Sequence, residues 1–457
     1  MKDLTKGNIY KTFILFAIPM VLSSMLSQAY STINVIMAGK LLGDGALGAT
    51  GAVSPFSTFI NSAIWGYGMG VGIYVSHLFG AQDYRKIKDT VLNNFRLLTV
   101  VLVVITALTL IFRYDIYRML NVDEAILADS DRYFVIITLG RTFILFVANC
   151  AYVFHAIGDS SFPLFVSTLS AFLNIGIGAV SILFLGMGVE GLALGTVLAA
   201  LVCSIIYIFK LRSVFRKMQV QDEKVPFNFA IIRKTCKYSL TTMFQQAVMY
   251  FGTVFLSPMI NGIGGAASAS YSVTLKIYDI NAAIYINSSK TVGSYTAQCF
   301  GAKKYHLIKK GMRVGVLQSL ILVMPVLLAC CLFAKPVASI FYKADADPEA
   351  VGYTIAFLRY CLPFLAINVF ANLFHNFFRG MGKMRALFIA TLAGTVARVI
   401  VSWILIKPYG IYGYYAGWVF AWVFDAAVGA GIYFFGSLRK TLFNKAEVIQ
   451  ESPANEQ

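Results

Sequence analysis

YVSHLFGAQDYRKIK, Tyr74 to Lys88, is written again as YTAQCFGAKKYHLIK, Tyr295 to Lys309. The copies start nearly half a chain apart and share seven of fifteen positions: Tyr, Phe, Gly, Ala, Tyr, Ile and Lys. An apolar segment precedes each copy and a basic run closes it. One membrane-exit sequence repeated at that separation implies two homologous membrane halves, the construction of a secondary transporter.

The surrounding composition agrees. Of 457 residues 58% are hydrophobic and 13% charged, with a mean hydropathy of +0.72. Soluble domains keep about a quarter of their residues charged, so this chain belongs in lipid. Its formal charge of +17 does not point to nucleic acid, because the basic residues lie in short stretches between apolar runs and gather on no folded face. Seven cysteines fall in or beside apolar segments without metal-ligand spacing and read as small hydrophobes. The first apolar run, about residues 13 to 38, is too long for a signal peptide and reads as the first span.

Crossing about 30 Å of hydrocarbon takes about 20 residues of helix. Runs of that length centre near residues 25, 64, 102, 144, 173 and 200, then near 247, 284, 323, 364, 396 and 424. The expected fold is an all-α membrane protein: twelve transmembrane helices in two parallel six-helix halves around a central cavity. Residues 1–212 form the first half, 213–234 a cytoplasmic linker, 235–438 the second half and 439–457 a cytoplasmic tail. With both termini inside, 26 basic residues fall on inner segments and seven on outer ones, the asymmetry of a chain whose termini are cytoplasmic. Further echoes support the duplication: Gly188, Gly191 and Gly195 recur as Gly410, Gly413 and Gly417, and Phe154-x-x-x-Gly158 as Phe378-x-x-x-Gly382.

The chain resembles the MATE (multidrug and toxic compound extrusion) transporters over about residues 7 to 438. The resemblance rests on the order of FAIPM (16–20), YSTINVIMAGKLLGDGALGATGA (30–52), FGAQD (79–83), MINGIG (259–264), LKIYD (275–279), AQCFGA (297–302), FRGMGK (378–383), ARVIVSWIL (397–405) and AWVFD (421–425). It implies a monomer in the bacterial plasma membrane that exports small cationic amphiphiles in exchange for H⁺ or Na⁺, with no cofactor beyond that ion. Three departures stand out. Asn34 occupies a position where the family commonly has an acid, Asn174 is followed by Gly176 to Gly178, and Gly394 precedes Arg398 where an acid is frequent. Coupling through an acid of the first half therefore does not carry over.

A charge in mid-bilayer persists when it is paired or faces a wet cavity. Those in this chain are Arg141, Lys276, Asp279, Lys290, Arg359, Arg398 and Asp425. Both carboxylates belong to the second half and are the ion-coupling candidates. Lys276 and Asp279, three apart on one helix face, are expected to pair. Counted from the turn near Pro408 to Gly410, Arg398 and Asp425 are offset by about 6 Å, so these two are expected to pair as well. Asn34, Asn174, Gln246, Tyr278, Lys290 and Asn368 are candidates to line the cavity. His375 is a weaker candidate for a proton relay. Pro19, Pro258, Pro325 and Pro363 are expected to kink their spans. No nucleotide-binding Gly-Lys-Ser/Thr loop or metal cluster suggests an enzyme. A flippase for a lipid-linked saccharide is the alternative; it would need several cationic side chains around a pyrophosphate.

Overall fold

In the computed structural model of the chain, the repeated stretch is one turn made twice. Helix α3, Ser54–Gly80, ends where Gln82 takes a left-handed φ of 57°. The Asp83 amide then donates back to Leu78 O at 3.0 Å and the Gln82 amide to Phe79 O at 3.1 Å. At the end of α10, Gly265–Gly301, Lys303 has φ 59°, and the Lys304 and Lys303 amides donate to Cys299 O and Phe300 O at 2.9 and 3.1 Å. This crossed pair satisfies carbonyls that a helix end would leave unmet. The Phe-x-x-x-Gly echo is the same turn with glycine at the left-handed position, Gly158 (φ 75°) and Gly382 (φ 69°). There the Asp159 and Lys383 amides donate to Phe154 O and Phe378 O, both at 2.9 Å.

The structure describes residues 2–220, 225–342 and 347–435. The expected tail 439–457, residues 221–224 of the expected linker, Lys343 and Asp345 lie outside them. Two compact units are present: unit 1 is Leu22–Met243 with Met1–Lys2, and unit 2 is Asp3–Val21 with Phe244–Gln457. The division falls inside α1 (Ile9–Met37) and α9 (Phe229–Asn261). Unit 1 continues with α2 (Asp44–Ala52), α3, α4 (Tyr84–Ile111), α5 (Arg113–Met119), α6 (Glu124–Ala156), α7 (Ser161–Leu183) and α8 (Val189–Lys217). Its core packs Val75, Val91, Leu145, Phe154 and Tyr207 together. Asp131 of α6 accepts hydrogen bonds from Arg113 Nε at 3.0 Å and Tyr117 OH at 2.9 Å, which fixes α5. Burial and that bond push the Tyr117 phenol pKa up.

Unit 2 holds α10, α11 (Tyr305–Leu332), α12 (Ala334–Ser339), α13 (Pro348–Ala356), α14 (Leu365–Gly380), α15 (Met384–Tyr409) and α16 (Ile411–Phe435). Pro19, Pro258 and Pro325 lie inside α1, α9 and α11. Pro363 marks a break instead: a π-helical turn, Phe357–Cys361, and a 3₁₀ turn, Leu362–Phe364, separate α13 from α14.

Among the described residues, twelve long helical segments coincide with the twelve expected centres, the tenth being α13 and α14 together. Nine of these are both long and apolar enough to cross a membrane. The other three, α3, α9 and α10, have 27, 33 and 37 residues and so are long enough. Their shortfall is in apolarity, and for α10 burial accounts for it: most of its length is buried against protein, so little of it needs a lipid-compatible surface.

The recurring glycines build the hairpins. A Cβ at Gly195 would stand 2.7 Å from Asn174 O of α7, and one at Gly417 would stand 1.9 Å from Ser402 Oγ of α15. In each unit, small residues let the last two helices approach backbone to backbone. The segment before α9 is held along α4: Asn93 accepts from the Asn228 amide at 2.8 Å, and Arg96 Nη1 donates to Val225 O at 2.7 Å.

Candidate functional site

On α14 the polar residues Asn368, Asn372, His375, Asn376 and Arg379 interrupt a run of Leu, Phe and Val. Steps of three and four residues put them on one stripe, and all but Asn372, which is half-buried, are buried. Buried polar atoms need partners, and neighbouring helices of unit 2 supply them. Arg379 donates through Nη1 to Asn376 Oδ1 at 2.8 Å and through Nη2 to Gln245 Oε1 of α9 at 2.9 Å. Gln245 Nε2 donates to Thr391 Oγ1 of α15 at 2.8 Å. The Thr391 hydroxyl donates to Leu387 O at 3.0 Å and lies 3.3 Å from His375 Nε2. That ring nitrogen is 2.8 Å from Asp425 Oδ1 of α16, the two side chains being 5% and 13% exposed. An ionised carboxylate accepts only, so in a pair with Asp425 ionised Nε2 is the nitrogen that donates.

The N-terminal end of the stripe leads to aromatic residues. Asn372 Nδ2 donates to Asn368 O and Oδ1 at 3.1 and 3.2 Å, and Asn368 Nδ2 donates to Tyr285 OH at 2.8 Å. Tyr285 OH and Tyr278 OH of α10 are 2.9 Å apart. The Tyr278 ring stands edge-on to Trp418 at 4.9 Å and stacks on Trp422 at 6.2 Å. Asn376 Nδ2 donates to Asn372 O at 3.0 Å, so one connected set of groups runs from Tyr278 through Tyr285, Asn368, Asn372 and Asn376 to Arg379, and on through Gln245 and Thr391 to His375 and Asp425. Among the described residues no group of three or more His, Cys, Asp or Glu is arranged to hold a metal ion.

Both expected ion pairs are corrected. Asp425 pairs with His375, whereas Arg398 donates through Nη1 to Thr253 Oγ1 at 3.1 Å and through Nη2 to Tyr414 OH at 2.8 Å. The Arg398 guanidinium also lies over the Trp418 ring at 4.9 Å. Helix rotation is the reason. Directly across the hairpin from Asp425 is Gly394, where a Cβ would come within 2.8 Å of Asp425 Cβ; Arg398, one turn on, faces another way. Lys276 and Asp279 interact electrostatically, but among the described residues they make no ion pair within 4.0 Å: Lys276 is exposed and Asp279 half-buried.

Of the remaining candidates, Lys290 donates to Asn287 Oδ1 at 3.0 Å within α10. Gln246 is half-buried and its neighbour Gln245, turned by about 100° on the helix, joins the polar set. Asn34 and Asn174 belong to unit 1; Asn174 is buried and donates to Thr196 Oγ1 at 2.8 Å. His375, the weaker candidate from sequence, is the partner of Asp425. The signal for it is the polar stripe at three- and four-residue steps.

A family model described as MatE matches residues 19–180 and 242–404. It matches twice, once in each half of the chain, which reproduces the internal repeat. The chain is 23% identical to the probable multidrug resistance protein YoeA of Bacillus subtilis (strain 168) over 346 residues, 74% of each. It is also 23% identical to the multidrug export protein MepA of Staphylococcus haemolyticus (strain JCSC1435) over 412 residues, 89% of each. A structure described as the outward-facing conformation of a multidrug resistance MATE family transporter of the MOP superfamily superposes with a TM-score of 0.87 at 22% identity, covering 96% of this chain and 98% of that one. A Pyrococcus furiosus MOP superfamily transporter, described as having a binding pocket of reverse polarity, gives 0.87 at 20% identity, with 96% and 98% covered.

Proposed function

We take as premise that this chain belongs to the MATE (MatE) family, a family of membrane transporters and not of enzymes, and propose that it exports small organic amphiphiles in exchange for protons. The observation that carries the proposal is the buried His375–Asp425 pair, 2.8 Å apart. A carboxylate facing an imidazole nitrogen suits a proton, which either group can hold, better than a metal cation, which wants a shell of oxygens.

Coupling follows from donor and acceptor roles. With Asp425 ionised, His375 Nε2–H donates to it. A proton arriving on Asp425 removes the charge that Nε2–H donates to, so the contact drops from a charge-assisted to a neutral hydrogen bond and holds His375 less firmly against its other neighbour. That neighbour is Thr391, which leads to Gln245 and Arg379. Protonation of one carboxylate thereby biases the packing of α14, α15 and α16, the kind of two-state element that ion coupling requires. Asp279, a half-buried carboxylate whose nearby cation Lys276 is itself exposed, supports a substrate that carries positive charge. The aromatic faces of Tyr278, Trp418 and Trp422 support an organic one. The flippase alternative is less well supported, since Lys290, Arg379 and Arg398 each engage neutral partners of their own.

The test is dye export from proteoliposomes under imposed gradients. We expect a pH gradient to drive ethidium export, and Asp425→Asn and His375→Gln each to lower the rate at least about tenfold, equivalent to about 1.4 kcal/mol. Export driven by a Na⁺ gradient at constant pH, or wild-type rates in Asp425→Asn, would show the proton reading to be wrong.

A further inference from the structure

We propose that Arg141 is an oxyanion-binding site in unit 1, and that the exported amphiphiles include zwitterions whose carboxylate, phosphate or sulfonate it takes. Arg141 is the eighteenth of the 33 residues of α6 and is 1% exposed. Its Nη2 donates to Ser57 Oγ of α3 at 3.3 Å, while its Nε and Nη1 have no hydrogen-bond partner among the described residues. Thr138, three residues earlier and so on the same face, is fully buried with an unpartnered hydroxyl. Among the described residues of unit 1 no carboxylate is on hand to neutralise the charge. Each acid there lies in a loop or within about two turns of a helix end. Asp131, the nearest on α6, is ten residues back, about 15 Å along the axis.

A guanidinium buried in a membrane helix is expensive when its donors are unmet, and such residues mark functional positions. Arg is suited to this ligand, since its planar donors match the spacing of carboxylate and phosphate oxygens. The unfilled donors of Arg141 and Thr138 are complementary to one oxyanion, which would supply both the missing charge and the missing acceptors. Unit 1 then recognises an anionic group while unit 2 handles the proton, a division that follows from which residues each unit holds.

The inference rests on the reading of the chain as an exporter of amphiphiles and is independent of the coupling ion. It is tested by equilibrium binding to the purified full chain of a rhodamine with a free benzoate carboxyl and of its methyl ester. The wild type should bind the acid roughly ten- to a hundredfold more tightly than the ester, the ratio expected for charge-assisted hydrogen bonds. Arg141→Met should abolish the preference by bringing acid binding down to that of the ester, and should melt no lower than the wild type. Equal affinities for both dyes in the wild type overturn the proposal without any variant. So does a preference that survives in Arg141→Met, or a variant that melts well below the wild type, since Arg141 would then be a structural post. Titrations in maltoside detergent and in phosphatidylcholine nanodiscs separate the sources of the anion: a preference lost only in nanodiscs assigns the oxyanion to lipid phosphate. Export assays separate this inference from the reading beneath it. If the chain is no exporter neither dye moves, and if only the anion site is wrong both move equally.

Discussion

Substituting Gly394 by alanine perturbs the proposed coupling site without replacing an ionisable group. The added Cβ would stand 2.8 Å from Asp425 Cβ, 3.1 Å from Ala421 O and 3.3 Å from Asp425 Cγ. Ordinary contact begins near 3.4 Å, so α15 and α16 must part, or Asp425 must swing, by the difference between 3.4 and 2.8 Å. The Asp425–His375 bond is 2.8 Å long, and N–H···O bonds work between about 2.7 and 3.2 Å. A shift of that size along the bond therefore takes it out of range in either direction. Overpacking of this kind costs about 1–3 kcal/mol, enough to lower the melting temperature by several degrees and too little to unfold the chain. We expect Gly394→Ala to reach the membrane and bind dye as the wild type does, yet to lose proton-driven export about as fully as Asp425→Asn. Wild-type export from a variant with a wild-type melting temperature would refute the reasoning, because the close fit of Asp425 against His375 would then not matter.

The remaining predictions concern the same scaffold. In a double-mutant cycle, Asp425→Asn and His375→Gln should each destabilise by about 1–3 kcal/mol, with the double variant short of the sum by about 1 kcal/mol or more; additive melting shifts would show that the two residues are not coupled. Gly417→Ala puts a Cβ 1.9 Å from Ser402 Oγ and should cost about 1–3 kcal/mol, whereas Gly176→Ala meets nothing within 4 Å and should be neutral or slightly stabilising. Thermal melts of the two variants side by side decide this, equal shifts being the unfavourable result. Gly382→Ala, at φ 69°, should lose about 1–2 kcal/mol, and Gln82→Gly, at φ 57°, should gain up to about 1 kcal/mol. A loss on Gln82→Gly would mean that the side chain, and not the turn geometry, holds that exit together.

How much of the fold and the site is legible in the sequence depends on which physical property each statement needs. The turns at Gln82, Gly158, Lys303 and Gly382 are visible as repeated strings, because a Schellman turn is local and its residues are contiguous. Asp425 is visible because one charge in an apolar run is conspicuous on composition alone. Its partner is not. Counting residues from the hairpin turn fixes depth along the axis but not rotation about it, and the rotation aims Arg398 at Thr253 and Tyr414. The same loss of phase favours Gln246 over Gln245. His375 is in view, but its weight comes from a stripe shared with Asn368, Asn372, Asn376 and Arg379, and only the packed helices turn that stripe into contacts. Arg141 is legible as an intramembrane charge, while the lack of partners for its Nε and Nη1 among the described residues emerges only once α3 and α6 are in place.

The duplication also shows where the two units have diverged chemically. At the offset that relates Gly195 to Gly417, Asp425 falls on Cys203, a fully buried thiol whose Sγ lies 3.8 Å from Val166 O. At the offset that relates Phe154 to Phe378, His375 falls on Ala151. The threonine between them persists. Thr168 and Leu164 correspond to Thr391 and Leu387, and each threonine hydroxyl donates to its leucine carbonyl, at 2.9 and 3.0 Å. The backbone and its supporting hydroxyl are therefore common to both units, and the acid–base pair is confined to one. A carboxylate at Cys203 without a histidine at Ala151 would be a buried charge with no partner, which destabilises by several kcal/mol. The two changes are useful only together, so a scaffold that carries neither in one unit and both in the other is the stable outcome of losing or gaining the pair. Unit 1, without that acid, holds Arg141, whose charge is offset by no ion pair among the described residues and is left to the proposed oxyanion.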